Sequence, residues 1–161
     1  MNRRQFLARS ARKRTVTTAL LIDLDDFKAI NDTHGHLIGD EVLHEIAYRL
    51  MAQIRSYDFA GRYGGEEFLI VLPGCSIENA WSRGEEIRRA IGEHPILTTA
   101  GSLQVTCSVG IAADDGCIPS EELIRLADEA LYSAKRSGRN CVRAKAAGTV
   151  NSSAPSLRES I

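Results

Sequence analysis

Two adjacent glycines, Gly64 and Gly65, separate two runs of strand-forming residues, 58–63 and 66–72. Paired glycines between strands predict a tight hairpin in a primed turn, because such turns need positive φ. A hairpin joins antiparallel neighbours and therefore excludes a purely parallel sheet. Elsewhere the apolar residues alternate between helical and strand spacing. The combination predicts an α/β sandwich with a mixed sheet, of the ferredoxin-like or polymerase-palm kind.

The stretch "TVTTALLIDLDD" is apolar and β-branched until it ends in acids, the pattern of a buried central strand with polar groups at its exit. A single helical turn is expected over 27–32. From Ile38 an amphipathic helix is marked by Ile38, Val42, Leu43, Ile46, Ala47, Leu50, Met51 and Ile54. After the hairpin, Ile77, Ala80, Trp81, Ile87, Ala90 and Ile91 mark a second helix, capped by Ser76. A short strand over 96–99 precedes a long one, "SLQVTCSVGIAA". Pro119-Ser120-Glu121-Glu122 starts a helix that turns Leu123, Leu126, Ala127, Ala130, Leu131 and Ala134 inward and closes at Gly138. A last strand is expected over 140–144. Residues 1–147 are read as one domain, with the basic start forming a helix around Phe6 and Leu7. The polar tail at 148–161 is expected to be disordered.

The chain has 161 residues and a net charge of -1, so there is no general basic field to attract a nucleic-acid polymer. Its apolar runs fall well short of the roughly 20 residues that cross a bilayer, and no secretory h-region is present. The cysteines Cys75, Cys107, Cys117 and Cys141 are scattered, with no Cys-x-x-Cys pair. This points to a reducing cytoplasm and away from zinc, with Cys107 buried as a small hydrophobe.

Asp23 ends the first strand, while Glu66 and Glu67 open the second arm of the hairpin. If these strands are neighbours, three carboxylates converge at one end of the sheet. Such groups raise one another's pKa unless a cation sits among them. Hard oxygen ligands favour magnesium or manganese, the ions of nucleotidyl transfer. The plainer alternative is a solvated acidic strand end. In "DDFKAINDTHGHLIGD", Asp26, Phe27 and Lys28 begin a helix whose backbone N–H groups suit a phosphate. Asn31 and Asp40 suit a base edge; a carboxylate can accept both N–H groups of guanine, a donor pair that adenine lacks. His34 and His36 flank Gly35 and read as turn residues. Lys135 and Arg139 bracket a helix end, where local chemistry makes them dipole partners.

Four segments in order resemble the GGDEF domain, the diguanylate cyclase family, in its GGEEF variant: "IDLDDFKAINDTHGHLIGDEVL", "RYGGEEF", "TCSVGIA" and "ADEALYSAKRSGRN". The resemblance spans roughly residues 15–143. It implies a central five-stranded mixed sheet flanked by helices, related to the adenylate cyclase core. It also implies a nucleotidyltransferase in bacterial signalling that joins two GTP into cyclic di-GMP and two pyrophosphates, acting as a homodimer. By the same resemblance Asp23, the Leu24 carbonyl, Glu66 and Glu67 would hold Mg²⁺ (or Mn²⁺). One of the two glutamates, Glu66 by preference, would assist loss of the 3′-hydroxyl proton. Asn31 and Asp40 would select guanine, with His36 nearby. The backbone of Asp26, Phe27 and Lys28 would cradle phosphates that Lys135 and Arg139 neutralise.

"RSYD" stands five residues before Gly64, the position of the family's inhibitory Arg-x-x-Asp product site, so Arg55 and Asp58 are expected to bind cyclic di-GMP. The Arg that assists this site in well-studied members aligns here with Glu86; Arg83 and Arg88 are the possible substitutes. The family's Asp-x-Leu-Thr-Gly-Leu motif does not precede Asn2-Arg3-Arg4, so the domain's N-terminal motif is read as truncated. An upstream sensory or receiver domain is the expected regulatory partner, absent from this sequence. The alternative function is an inactive relative that serves as a cyclic di-GMP or GTP receptor.

Overall fold

The computed structural model describes residues 16–146; the expected helix around Phe6 and Leu7 and the tail at 148–161 lie outside the described residues. Strand β1 (Thr17–Leu24) leads into helices α1 (Phe27–His34) and α2 (His36–Gln53), then the hairpin strands β2 (Phe59–Arg62) and β3 (Glu67–Pro73). Helix α3 (Ile77–Gly92) is followed by the short strands β4 (Ile96–Thr98) and β5 (Gly101–Leu103). Strand β6 (Cys107–Asp114), helix α4 (Ser120–Arg136) and strand β7 (Val142–Ala146) complete the order. The main sheet has five strands in the order β2-β3-β1-β6-β7. All its pairs are antiparallel except β6 with β7. The mixed sheet therefore agrees with the hairpin argument.

Alternation along β1 sorts its side chains onto two faces. Leu20, Ile22 and Leu24 join the larger core with Val42, Ile46, Ile87 and Ile91 from α2 and α3. Ala19 and Leu21 join Leu123, Leu126, Ala127 and Leu131 of α4. Asp23, two residues beyond Leu21, emerges on the α4 face. That helix lies very close to the sheet: a Cβ at Gly110 of β6 would run into the Ala127 carbonyl and the Leu131 backbone. Ala127, Leu131 and Lys135 are spaced four apart and share a helix face. The close seat of Leu131 on Gly110 thus aims Lys135 at the end of β1.

Several local expectations are corrected. Gly64 and Gly65 do not adopt positive φ, so the connection is not a primed turn. Four residues, Tyr63 to Glu66, separate the strands, and the Tyr63 and Gly64 N–H groups both donate to the Glu67 carbonyl (2.7 and 3.3 Å). A Cβ at position 64 would meet the Glu67 carboxylate, the movable end of a long side chain. Helix α1 has two turns instead of one, ending where Gly35 adopts φ 86° and its N–H donates to the Asn31 carbonyl. The long strand expected over 102–113 is broken. Its first part pairs as β5 with β4, and the Thr106 carbonyl turns to accept from the Asp25 N–H.

Met51 (60 % exposed) and Trp81 (41 % exposed) face outward. Helix α3 instead buries Ala80, Gly84, Ile87 and Ile91, with Gly84 against Ile111 and Val142, so Trp81 stands beside that stripe. β7 begins at Val142, later than expected, because Arg139 and Asn140 turn through positive φ (61° and 44°). No helix among the described residues is long and apolar enough to cross a membrane.

Candidate active site

The antiparallel register of β1 and β3 sets Asp23 directly opposite Glu67. Directly opposed residues share a face of the sheet, so both carboxylates stand on the α4 side. Glu66 is held at the same end, where its carbonyl accepts from the Leu24 N–H (3.4 Å). Lys135 closes the group from α4, with Nζ 2.8 Å from Asp23 Oδ2. The Asp23 side chain is only 6 % exposed.

Burial raises the pKa of Asp23; Lys135 opposes the shift and the Asp25 charge adds to it. Glu66 and Glu67 are also raised, first by burial and then by the charge of Asp23. Three carboxylates beside Lys135, with Arg139 acting on Asp23 more weakly, are short of positive charge. Their donors are all hard oxygens, which is the chemistry of a magnesium or manganese site. The residues fit such an ion chemically. Among the described residues, however, no three His, Cys, Asp or Glu side chains are drawn together closely enough to hold a metal, and Lys135 supplies the charge at Asp23.

Just beyond Asp23 the backbone reverses at Asp26, in the left-handed region (φ 54°), before α1 begins at Phe27. Phe27 is buried and anchors the turn, while Asp26 and Lys28 are exposed. Arg139 reaches this turn from the loop after α4, with Nε 3.5 Å from Asp26 Oδ1. The structure thus brings Asp26, Phe27, Lys28 and Arg139 to the same edge as Asp23. Asn31 is half-buried on α1 and lies against α2, where a side chain at position 39 would collide with its amide oxygen. Asp40, the next residue, and His36, the first of α2, are exposed. Lys28 and Asp40 have no ion-pair partner among the described residues.

Two contributors escape a residue-by-residue reading of the sequence. Arg62 folds its guanidinium over the hairpin loop and donates to the carbonyls of Gly64 (3.2 Å) and Gly65 (3.0 and 2.5 Å). An Arg beside two glycines, whose carbonyls lack strand partners, was the available signal. Asp25 is buried and bonded to distant segments, for which the sequence offers no local signal.

Arg55 and Asp58 lie apart from this cluster, on a cavity of about 340 Å³ whose lining includes Tyr57, Cys75, Arg83 and Glu86. Asp58 is buried; its Oδ2 accepts from the Arg55 backbone N–H (2.8 Å) and faces Arg83 Nη2 at 3.6 Å. The Arg55 guanidinium is exposed and donates to the Tyr57 hydroxyl (2.6 Å). Arg88 points elsewhere, to Glu85 and Asn140 (both 2.9 Å). Of the two possible substitutes, Arg83 is therefore the one that reaches Asp58.

A family model described as "Diguanylate cyclase, GGDEF domain" matches residues 2–141. The chain is 48% identical over 134 residues to the response regulator PleD of Caulobacter vibrioides, covering 81% of this chain and 29% of that protein. It is 45% identical over 120 residues to the diguanylate cyclase DgcP of Pseudomonas aeruginosa, covering 74% and 18%. The chain thus spans less than a third of these relatives. Among solved structures, it resembles the active GGEEF domain of a diguanylate cyclase from Vibrio cholerae (TM-score 0.79, 37% identity, covering 89% of this chain and 96% of that one). It also resembles the coiled coil and GGDEF domain of DgcB from Caulobacter crescentus in complex with c-di-GMP (TM-score 0.80, 30% identity, covering 88% and 75%).

Proposed function

The chain belongs to the diguanylate cyclase GGDEF domain family, and from that premise we propose that it condenses two GTP into cyclic di-GMP and two pyrophosphates. The observation that carries the proposal is the opposition of Asp23 and Glu67 on adjacent strands, with Glu66 beside them and Lys135 paired to Asp23. A magnesium or manganese ion held by Asp23, the Leu24 carbonyl, Glu66 and Glu67 would polarise the attacking hydroxyl and the α-phosphate.

The chain's own groups bind and orient. Asp40 accepts the two N–H groups of guanine, and Asn31, fixed between α1 and α2, reads the same edge with His36 at its side. The N–H groups of residues 26–28 hold phosphate oxygens. Lys135 and Arg139 offset the phosphate charge from the α4 end. Glu66 takes the proton of the 3′-hydroxyl, whose oxygen forms a bond to the α-phosphorus of the second GTP as pyrophosphate leaves. The reaction runs twice, once from each nucleotide, so two copies of the chain face each other. Arg55, Asp58 and Arg83 bind the product and restrain the enzyme. A GTP-using reaction and the thiols of Cys75, Cys107 and Cys141 suit the cytoplasm.

Incubation with magnesium and each nucleoside triphosphate, followed by mass spectrometry of the products, tests this reading. Cyclic di-GMP from GTP alone is expected. Binding of cyclic di-GMP or GTP without turnover would replace the enzyme with a receptor, and a product from ATP would overturn the guanine assignment.

A further inference from the structure

Asp25 takes no part in the reaction proposed above, yet two distant segments meet on its buried carboxylate. Oδ1 accepts from the Ser108 hydroxyl (2.7 Å). Oδ2 accepts from the Thr106 hydroxyl (2.7 Å) and from the Asn140 backbone N–H (3.0 Å). The Asp25 N–H in turn donates to the Thr106 carbonyl (2.9 Å). One side chain therefore ties the exit of β1 to the start of β6 and to the loop after α4.

That knot lies where the backbone is least relaxed. Asp26, Arg139 and Asn140 all have positive φ (54°, 61° and 44°), and none is a glycine. Side chains disfavour that region, so such residues persist where their surroundings over-determine them. Asp25 supplies the determinant for both loops: it directly precedes Asp26, and it bonds the N–H of the residue that follows Arg139. Across the gap the two loops already touch, through Arg139 Nε and Asp26 Oδ1 at 3.5 Å.

We propose that Asp25 is the positioning residue of the triphosphate cradle, holding the turn at residues 26–28 and the Arg139 loop in the relative placement that a triphosphate needs. The inference rests on the GTP reading above. It does not depend on Asp25 touching the nucleotide or the metal. A guanidinium and a row of N–H groups contributed by different loops bind one anion well only when their spacing is fixed in advance.

The test is calorimetric binding of inorganic tripolyphosphate and of a non-hydrolysable GTP analogue, with magnesium, to the wild-type chain and to Asp25→Ala, Asp25→Asn and Thr106→Val, with thermal melting followed in parallel. Loss of supporting hydrogen bonds is expected to lower both affinities in Asp25→Ala by at least about tenfold, the scale for an outer-shell partner of a binding group. The fall should be similar for both ligands, because the guanine end is untouched. Asp25→Asn should recover most of the affinity, since its carbonyl can accept from Asn140 and its amide can donate to a hydroxyl. Thr106→Val removes one bond and should fall between. Wild-type chain that binds neither ligand would overturn the GTP reading and this one with it. Wild-type chain that binds, beside an Asp25→Ala variant of equal affinity, would overturn this one alone. If Asp25→Ala fails to fold, Thr106→Val decides, and unchanged affinity there overturns the proposal.

Discussion

Lys135 Nζ lies 2.8 Å from Asp23 Oδ2, so a helix-end cation and a strand-end carboxylate hold each other across the site. The pair is produced by packing: the bare backbone of Gly110 lets α4 settle close to β6, and Lys135 follows one turn after Leu131. Lys135 thereby supplies locally part of the positive charge that the three carboxylates need. Its ammonium is half-exposed and, in the reaction proposed above, would meet the arriving phosphate charge.

Asp23→Asn and Glu66→Gln are each expected to lower cyclic di-GMP production by at least about tenfold, because the proposed divalent-ion site would lose a ligand charge. Folding should survive, since neither side chain belongs to the apolar core. Initial rates beside far-UV circular dichroism check this. Near-normal turnover in either variant would remove that residue from the reacting group.

The pH dependence of stability follows from the same cluster. The pKa values of Asp23, Glu66 and Glu67 are all raised from their ordinary values, chiefly because burial disfavours their charged forms. Between the unfolded and the raised folded pKa values, the native chain binds more protons than the unfolded chain. The cluster's contribution to stability therefore falls as pH rises through that window. With chelator present, melting temperature should carry a declining component from about pH 4 upward, and Asp23→Asn should flatten it. Magnesium added at neutral pH should raise the melting temperature by binding the native state. A profile identical in wild type and Asp23→Asn would show that Asp23 contributes no such penalty.

Guanine selection should depend on a residue that touches no base. Asn31 can lie against α2 because position 39 has no side chain; a methyl group there would displace the Asn31 amide. Gly39→Ala is expected to weaken GTP binding, and Asp40→Ala to weaken it by about 1–3 kcal/mol through an unpaired partner on the base. Competition between GTP and ATP measures the discrimination. An Asp40→Ala variant with unchanged preference would show that Asp40 is not the guanine reader.

The face pattern of β1 and the inward stripe of α4 were legible in the sequence because both are local periodicities, at spacings of two and about 3.6. The acids at the β1 exit and in the hairpin were legible for the same reason, as breaks in apolar runs. Three features were not. Asp25 bonds residues 81 and 115 positions away, so no window of sequence contains its partners. Gly64 was legible as a special position but for the wrong reason, since its φ is not positive and a Cβ there would only push aside the Glu67 carboxylate. Trp81 is apolar at helical spacing, yet Gly84 brings α3 so close to Ile111 and Val142 that the buried stripe runs beside it.

The cavity at Arg55 and Asp58 predicts an asymmetry between two arginines of α3. Arg83 lines it and faces Asp58, whereas Arg88 is tied to Glu85 and Asn140. Arg55→Ala and Arg83→Ala should each weaken cyclic di-GMP binding by about 1.5–3 kcal/mol, the range for hydrogen bonds to charged groups. Arg88→Ala should leave it unchanged. Calorimetry in the presence of a non-hydrolysable GTP analogue isolates this site from the first. Equal affinities for wild type and Arg55→Ala would reduce "RSYD" to a surface turn.

Rate per chain should rise with protein concentration. The product has two identical halves, and each chain is expected to hold one GTP, so two chains must meet about a two-fold axis for each 3′-hydroxyl to reach the other α-phosphate. The sequence carries no heptad run, and the apolar faces of α2, α3 and α4 are occupied in the two cores. Encounter between isolated chains is then transient. A tether to a dimeric partner raises the effective concentration to roughly the millimolar range, which is how an upstream domain would regulate the enzyme. Fusing a parallel coiled coil ahead of Met1 should therefore raise the rate strongly, and the fusion should be made with and without an Asp-x-Leu-Thr-Gly-Leu segment to separate tethering from any effect of that motif. Rates are to be followed from nanomolar to micromolar chain, beside light scattering. A rate per chain that stays flat while the protein scatters as a monomer would rule out the facing-dimer mechanism.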